Sequence, residues 1–206
     1  MKKIILQLVM PMLLLVPCSF AAAQTDATGN AFSQSYAAEA KGEYAKAVTT
    51  MKGVYDAKNY EVNLRLGWLC YEAGQYTESQ SYYQAAISLM PYGVEPRLGF
   101  VYPASALGNW DKVITQYQEI LKVDASNTTA NYRLGLIYYN RKEYQKAFPY
   151  FEKLVNLYPF GYDALLMFAW TNFQLGKTKE AKLLFTKVLW YAPTDKSALE
   201  GLSLIK

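Results

Sequence analysis

Few residues in this chain of 206 have types that could do covalent or acid–base chemistry. Histidine is absent, which removes the commonest general base and the commonest transition-metal ligand together. Cys70 sits among Leu66, Leu69 and Ala73 on an amphipathic stretch, where it reads as a small hydrophobe. The sharper alternative for Cys70 is an interchain disulfide. The pattern contains no HExxH, no Walker-type glycine loop and no GxSxG. Glu39, Glu43, Glu72, Asp111 and Glu152 could act as acids or bases only if they converged, and their spacing puts them on solvated helix faces or turns. Asn127-Thr128-Thr129 is a formal glycosylation sequon that reads better as a turn and helix cap. The expectation is a non-enzymatic protein with no cofactor and no metal.

What the chain has in quantity is aromatic surface. Nineteen tyrosines bring the aromatic share to 16%, within a hydrophobic total of 52% that argues against disorder. The N-terminus reads MKKIILQLVMPMLLLVPCSFAAAQT. Lys2 and Lys3, the apolar run Ile4 to Val16 and the small residues Ala21 to Ala23 have the pattern of a secretory signal peptide over 1–23. An uncleaved membrane anchor over Ile4 to Ala23 is the alternative, and a lipid on Cys18 a third. Pro11, Pro17 and the A-x-A ending favour cleavage after Ala23. The remainder then carries nineteen basic and seventeen acidic residues, evenly spread, which does not suit nucleic acid. Export to a bacterial periplasm is expected, with secretion or surface association as variants.

The elements that must position these rings follow from periodicity. Residues 24–30, polar and turn-prone, are expected to form a flexible leader. Beyond them, a step of 34 takes Tyr83 to Tyr117, Phe151 and Phe185, and Leu66 to Phe100, Leu134 and Phe168. The same step takes Ser79 to Val113, Ala147 and Ala181, Gly74 to Gly108, and Pro91, two steps on, to Pro159. Each 34-residue unit reads as two amphipathic helices around a glycine turn, with more apolar surface than one hairpin can cover. Stacked hairpins bury it, so the expected class is all-α, an α-solenoid of about five helix-turn-helix units. The units are 60–93, 94–127, 128–161 and 162–195, preceded by a degenerate capping repeat over 31–59 and followed by a capping helix over 196–206. At the turn of 128–161 Lys142 replaces glycine. Pro103 and Pro149 fall inside helices and should bend them.

These spacings resemble the tetratricopeptide repeat, most closely at Leu134-Gly135, Tyr138, Tyr144, Ala147, Phe151 and Pro159. Asn63, Arg97, Asn131 and Leu165 stand where that family often has tryptophan, and 94–127 has Val101 and Ala125 for its glycine and proline. The resemblance implies that first helices line a concave groove holding an extended or helical peptide. Positions matching that lining are Phe32, Tyr36, Arg65, Trp68, Tyr71, Tyr102, Tyr132, Arg133, Tyr139, Trp170 and Phe173. Such rings offer broad apolar contact with polar tips, and Arg65 and Arg133, 68 residues apart, could each grip a carboxylate bidentately. About half of the rings are expected to fill gaps between hairpins instead. Phe32, Tyr36 and Arg65 occupy the approximate place of the lysine–asparagine clamp of chaperone-binding relatives, so acidic chaperone tails are not the expected partner. The resemblance implies a protein-interaction scaffold of the cell envelope that binds a protein or peptide. Carbohydrate or peptidoglycan binding by the same rings, and a self-associating structural subunit, are the alternatives.

Overall fold

A computed structural model describes residues 19–205, with side chains from residue 27 onward. Among the described residues there are eleven helices and no strand, the all-α class that the period implies. The chain forms two compact units, one ending at Val54 and one beginning at Tyr55.

In the first unit α1 (Ser19–Glu39) packs against α2 (Tyr44–Lys52). The first eighteen residues of the expected signal segment lie outside the described residues. Helix α1 begins at Ser19 and runs through 24–30, where a polar leader was expected, and the alanines of FAAAQTDAT suit a helix. Ala31, Ser35 and Ala38 form its buried stripe, and Ala47, Val48 and Met51 are the buried positions of α2.

The second unit comprises α3 (Tyr60–Glu72), α4 (Tyr76–Leu89), α5 (Val94–Ala106), α6 (Trp110–Val123), α7 (Thr128–Asn140), α8 (Tyr144–Leu157), α9 (Tyr162–Gln174), α10 (Thr178–Tyr191) and α11 (Lys196–Leu204). Helices pack in sequence order, and each second helix also meets the first helix of the next hairpin. Ser79 is fully buried and its hydroxyl donates to the Gly67 carbonyl at 2.6 Å, clamping α4 onto α3. The ring one turn on, Tyr83, lies against the backbone of Gly67, and Phe151 lies against Gly135 in the same way. Pro103 and Pro149 are both inside continuous helices.

Asn59, Asn127 and Asp195 cap α3, α7 and α11, accepting from the amides of Val62, Ala130 and Ala198 at 2.9, 3.0 and 2.7 Å. The tetratricopeptide tryptophan position has been given a related task. Asn63 donates to the Asn59 carbonyl at 2.8 Å, and Asn131 to that of Asn127 at 2.8 Å. Between them Arg97 donates to the Pro91 carbonyl at 2.7 Å and to Gln116 at 2.8 Å. A polar side chain here ties the inter-hairpin loop to its helix, which a tryptophan would do by bulk.

Lys142 has φ +61°, beside +72°, +75°, +70° and +73° at Gly42, Gly74, Gly108 and Gly176. The turn keeps its left-handed geometry, and the lysine bears the steric cost that glycine avoids. Lys142→Gly is therefore expected to raise stability by about 1 kcal/mol in urea unfolding, whereas Gly108→Lys should lower it by a similar amount. Equal unfolding midpoints for wild type and Lys142→Gly would show that the turn is not strained.

Candidate partner-binding site

The first helices α3, α5 and α7 bring part of the expected set together. The Trp68 ring lies 5.9 Å from Tyr71 and 6.4 Å from Tyr102, and Tyr71 and Tyr102 are 5.5 Å apart. Tyr76, at the start of α4, joins them 5.8 Å from Tyr71. Tyr102 is 52% exposed, so the cluster presents ring surface to solvent.

Tyr102 also borders a cavity of about 480 Å³ between α5, α6 and α7. Leu98, Val101 and Ile137 make it apolar, Trp110 stands beside it half-exposed, and Arg133 and Asn140 supply its polar lining. Two departures from the repeat create this space. The position occupied by Tyr71, Tyr139 and Phe173 in the other units is Ser105 in this one. Gly99 and Gly201 let the preceding rings, Tyr83 and Phe185, lie on their backbone, whereas at the same register Arg133 faces Tyr117. Arg133 thus sets a long side chain between α6 and α7, where the junctions at Gly99 and Gly201 have none. Burial pushes the Tyr117 hydroxyl above the usual tyrosine range, and the positive charge of Arg133 opposes that shift.

The remaining expected residues have other surroundings. Arg65 is buried, at 7% exposure, so of the two arginines at this register only Arg133 is open to a ligand. Tyr132 meets Phe151 edge to face at 6.1 Å, a packing contact. Tyr139 pairs with Tyr144 at 5.2 Å, and burial pushes its hydroxyl up. Trp170 meets Phe173 at 5.7 Å and Phe185 at 5.0 Å, and its indole N–H donates to Ser197 at 2.8 Å. Trp170 and Phe173 thus help fix α9 against α10 and α11. Phe32 and Tyr36, 6.4 Å apart, belong to the first unit.

Tyr76 and Trp110 were not among the expected site residues. Their signal was present, since the first residue of successive second helices is Tyr76, Trp110 and Tyr144, 34 apart. Among the described residues no group of three or more His, Cys, Asp or Glu side chains has metal-binding geometry. Cys70 is fully buried, which leaves it unable to meet another chain in the folded protein.

The family model described as tetratricopeptide repeat matches residues 32–93 and 104–162, and a second of the same description matches 163–195. The chain belongs to the tetratricopeptide-repeat family. The residues passed over, 94–103, begin α5, the helix that carries Gly99 and Pro103 and borders the cavity. No curated protein matches the sequence. Among solved structures, a tetratricopeptide repeat protein from Parabacteroides merdae is 21% identical, with a TM-score of 0.73 over 87% of this chain and 72% of that one. A MamA protein is 22% identical with a TM-score of 0.69, over 80% of this chain and 91% of its own. MamA from Desulfovibrio magneticus RS-1 is 17% identical with a TM-score of 0.68, over 83% and 98%. At these identities the likeness is one of fold. The coarse role of a tetratricopeptide-repeat protein, a scaffold for protein–protein interaction, comes with the family.

Proposed function

We propose that this tetratricopeptide-repeat chain is a non-enzymatic scaffold, exported to a bacterial periplasm or cell surface, that holds a peptide segment of an envelope protein along its first helices. The observation that carries the reading is the continuity of the Trp68–Tyr71–Tyr102 ring cluster with the apolar cavity beside the exposed Arg133. An aliphatic or aromatic side chain of the peptide would enter the cavity, the rings would cover its neighbours, and Arg133 would take a carboxylate. A contact of roughly 800 Å² per partner is enough for specific binding of this kind. The charged and apolar pattern of the first 23 residues supports export.

The carbohydrate reading asks for amides and hydroxyls converging on exposed rings. Amides do converge: Gln80 and Gln116 line a cleft of about 730 Å³ with Thr77, Ser81 and Thr115. That cleft lies between α4 and α6, whereas the ring cluster and Arg133 stand chiefly on first helices. The ring-bordered cavity itself has a single amide, Asn140, beside a guanidinium and apolar walls, which favours a peptide.

Selecting a displayed random-peptide library on the wild-type protein tests this without a named partner. The selected peptides should be rich in an apolar residue near an acidic one, and Trp68→Ala/Tyr102→Ala should bind them at least tenfold more weakly. Ser105→Tyr restores the ring found in the other units and should block the cavity, with the same loss and unchanged helical circular dichroism. Peptides that bind both variants as well as wild type would sink the groove reading.

A further inference from the structure

The repeat supplies its own control for the outer surface of its second helices. Leu183 on α10 corresponds at steps of 34 to Pro149, Thr115 and Ser81, and Trp190 to Asn156, Lys122 and Ser88. All six of those counterparts are exposed and none is a large hydrophobe. Leu183 and Trp190 are exposed as well, at 72% and 71%. The inward side of α10 (Ala181, Phe185, Val188) follows the repeat and is buried, so packing explains that face and leaves the outer one without a structural task. Seven residues apart, Leu183 and Trp190 share one stripe, which helical geometry borders with Lys179 and Lys187, while Lys182 stands about a quarter turn away. The acidic residue of this helix, Glu180, lies at the stripe's flank. Phe160, 73% exposed, continues the apolar surface: it meets Tyr191 at 5.2 Å, and the Lys187 ammonium stands 5.8 Å from its ring centre.

Charge follows the same division. From residue 177 to the last, six lysines stand against three acids, whereas 24–176 hold thirteen basic and fourteen acidic residues. Beyond residue 23 the positive balance is therefore carried by the segment from Lys177 onward.

We propose that the outer face of α10, built by Leu183, Trp190, Lys179, Lys182 and Lys187, docks the protein on the surface of a bilayer containing anionic lipid. Protruding apolar side chains ringed by lysines suit the boundary between headgroups and acyl chains. There an indole is well placed, and ammonium groups meet phosphates while their methylene stems stay apolar. A second copy fits this face poorly, because a two-fold contact would set one lysine-bordered stripe against another. No helix of the described residues is long and apolar enough to cross a membrane, so this contact is a surface one. Docked through a second helix, the scaffold keeps the first-helix ring cluster free for a partner.

Flotation of the full chain with vesicles of one-third phosphatidylglycerol in phosphatidylcholine, against vesicles of phosphatidylcholine alone, tests the proposal. Wild type should float at least tenfold more with the anionic vesicles, and high salt should remove much of the difference. Both Leu183→Ser/Trp190→Ser and Lys179→Gln/Lys182→Gln/Lys187→Gln should lose that excess while keeping wild-type circular dichroism. The N-terminal apolar run is common to all three proteins, so any difference among them belongs to α10. Equal flotation of wild type and both variants on anionic vesicles overturns the proposal. So does a wild-type dimer in sedimentation that Leu183→Ser/Trp190→Ser disperses, since the face would then be a protein interface.

Discussion

Gly135→Ala is expected to destabilise the wild-type protein by about 1–3 kcal/mol, yet to stabilise it by up to about 1 kcal/mol once Phe151 is alanine. The reversal follows from one contact. A Cβ on Gly135 would stand 2.7 Å from two ring carbons of Phe151, closer than real Cβ atoms approach anything. Phe151 cannot move aside easily, because it is fully buried, with Tyr132 packed edge to face against it. In the wild-type background the added methyl must therefore push apart two helices that otherwise touch. With Phe151→Ala the ring is gone. That change alone should cost about 3–5 kcal/mol, as large-to-small replacements in a close-packed core do. The site at residue 135 is then open, and what remains of Gly135→Ala is the gain in helix propensity in the middle of α7. Urea unfolding of the two single variants and the double, followed by circular dichroism, gives the coupling. If Gly135→Ala costs the same with and without Phe151, the glycine is not there to receive the ring, and the account of why hairpins close as they do fails.

The same contact explains how much of the fold was legible. The ring at Tyr83, Tyr117, Phe151 and Phe185 and the small residues at Ser79, Ala147 and Ala181 are constrained by a partner helix at a constant offset. They therefore repeat, and the repeat can be read from one sequence. Lys142 was the visible exception at the turn, and the structure shows the backbone prevailing over the side chain. The site was less legible because it comes from departures. The cavity exists where Ser105 lacks the ring of Tyr71, Tyr139 and Phe173, and where Arg133 faces Tyr117 while Gly99 and Gly201 leave other rings room. Those differences can be seen once the units are superposed, but their consequence depends on how two hairpins meet. Arg65 and Arg133 make the same point. They share a register, but one is buried and the other exposed, because burial is set by three-dimensional surroundings that the period does not carry.

Alkaline unfolding is the second large effect to expect. The protein has no histidine, so none of its side chains has an ordinary pKa near 6.5, and nineteen tyrosines await higher pH. Tyr83 and Tyr117 are buried between hairpins at 3% and 6% exposure, and burial raises both hydroxyls above the ordinary tyrosine value, most strongly for Tyr83. Burial raises Tyr60, Tyr132, Tyr139 and Tyr150 in the same direction, and a hydrogen bond to Asp195 raises Tyr162. Below a pH of about 10 these groups keep their protons in both the folded and unfolded states, so they add no pH dependence. Above it the unfolded chain releases protons that the folded protein still holds. Stability then falls with rising pH until each folded-state value is reached. Each such tyrosine contributes a slope of up to about 1.4 kcal/mol per pH unit, so Tyr83 and Tyr117 together approach about 3 kcal/mol per unit. Tyr83→Phe/Tyr117→Phe keeps the rings that fill the hairpin interfaces and removes the ionisable groups. Its unfolding free energy, measured in urea from pH 8 to 12 (roughly two units either side of the ordinary tyrosine value), should fall visibly less steeply than wild type above the midpoint of that range. Parallel profiles would mean that both rings reach solvent before they ionise. The interfaces they occupy would then open locally well before the array unfolds.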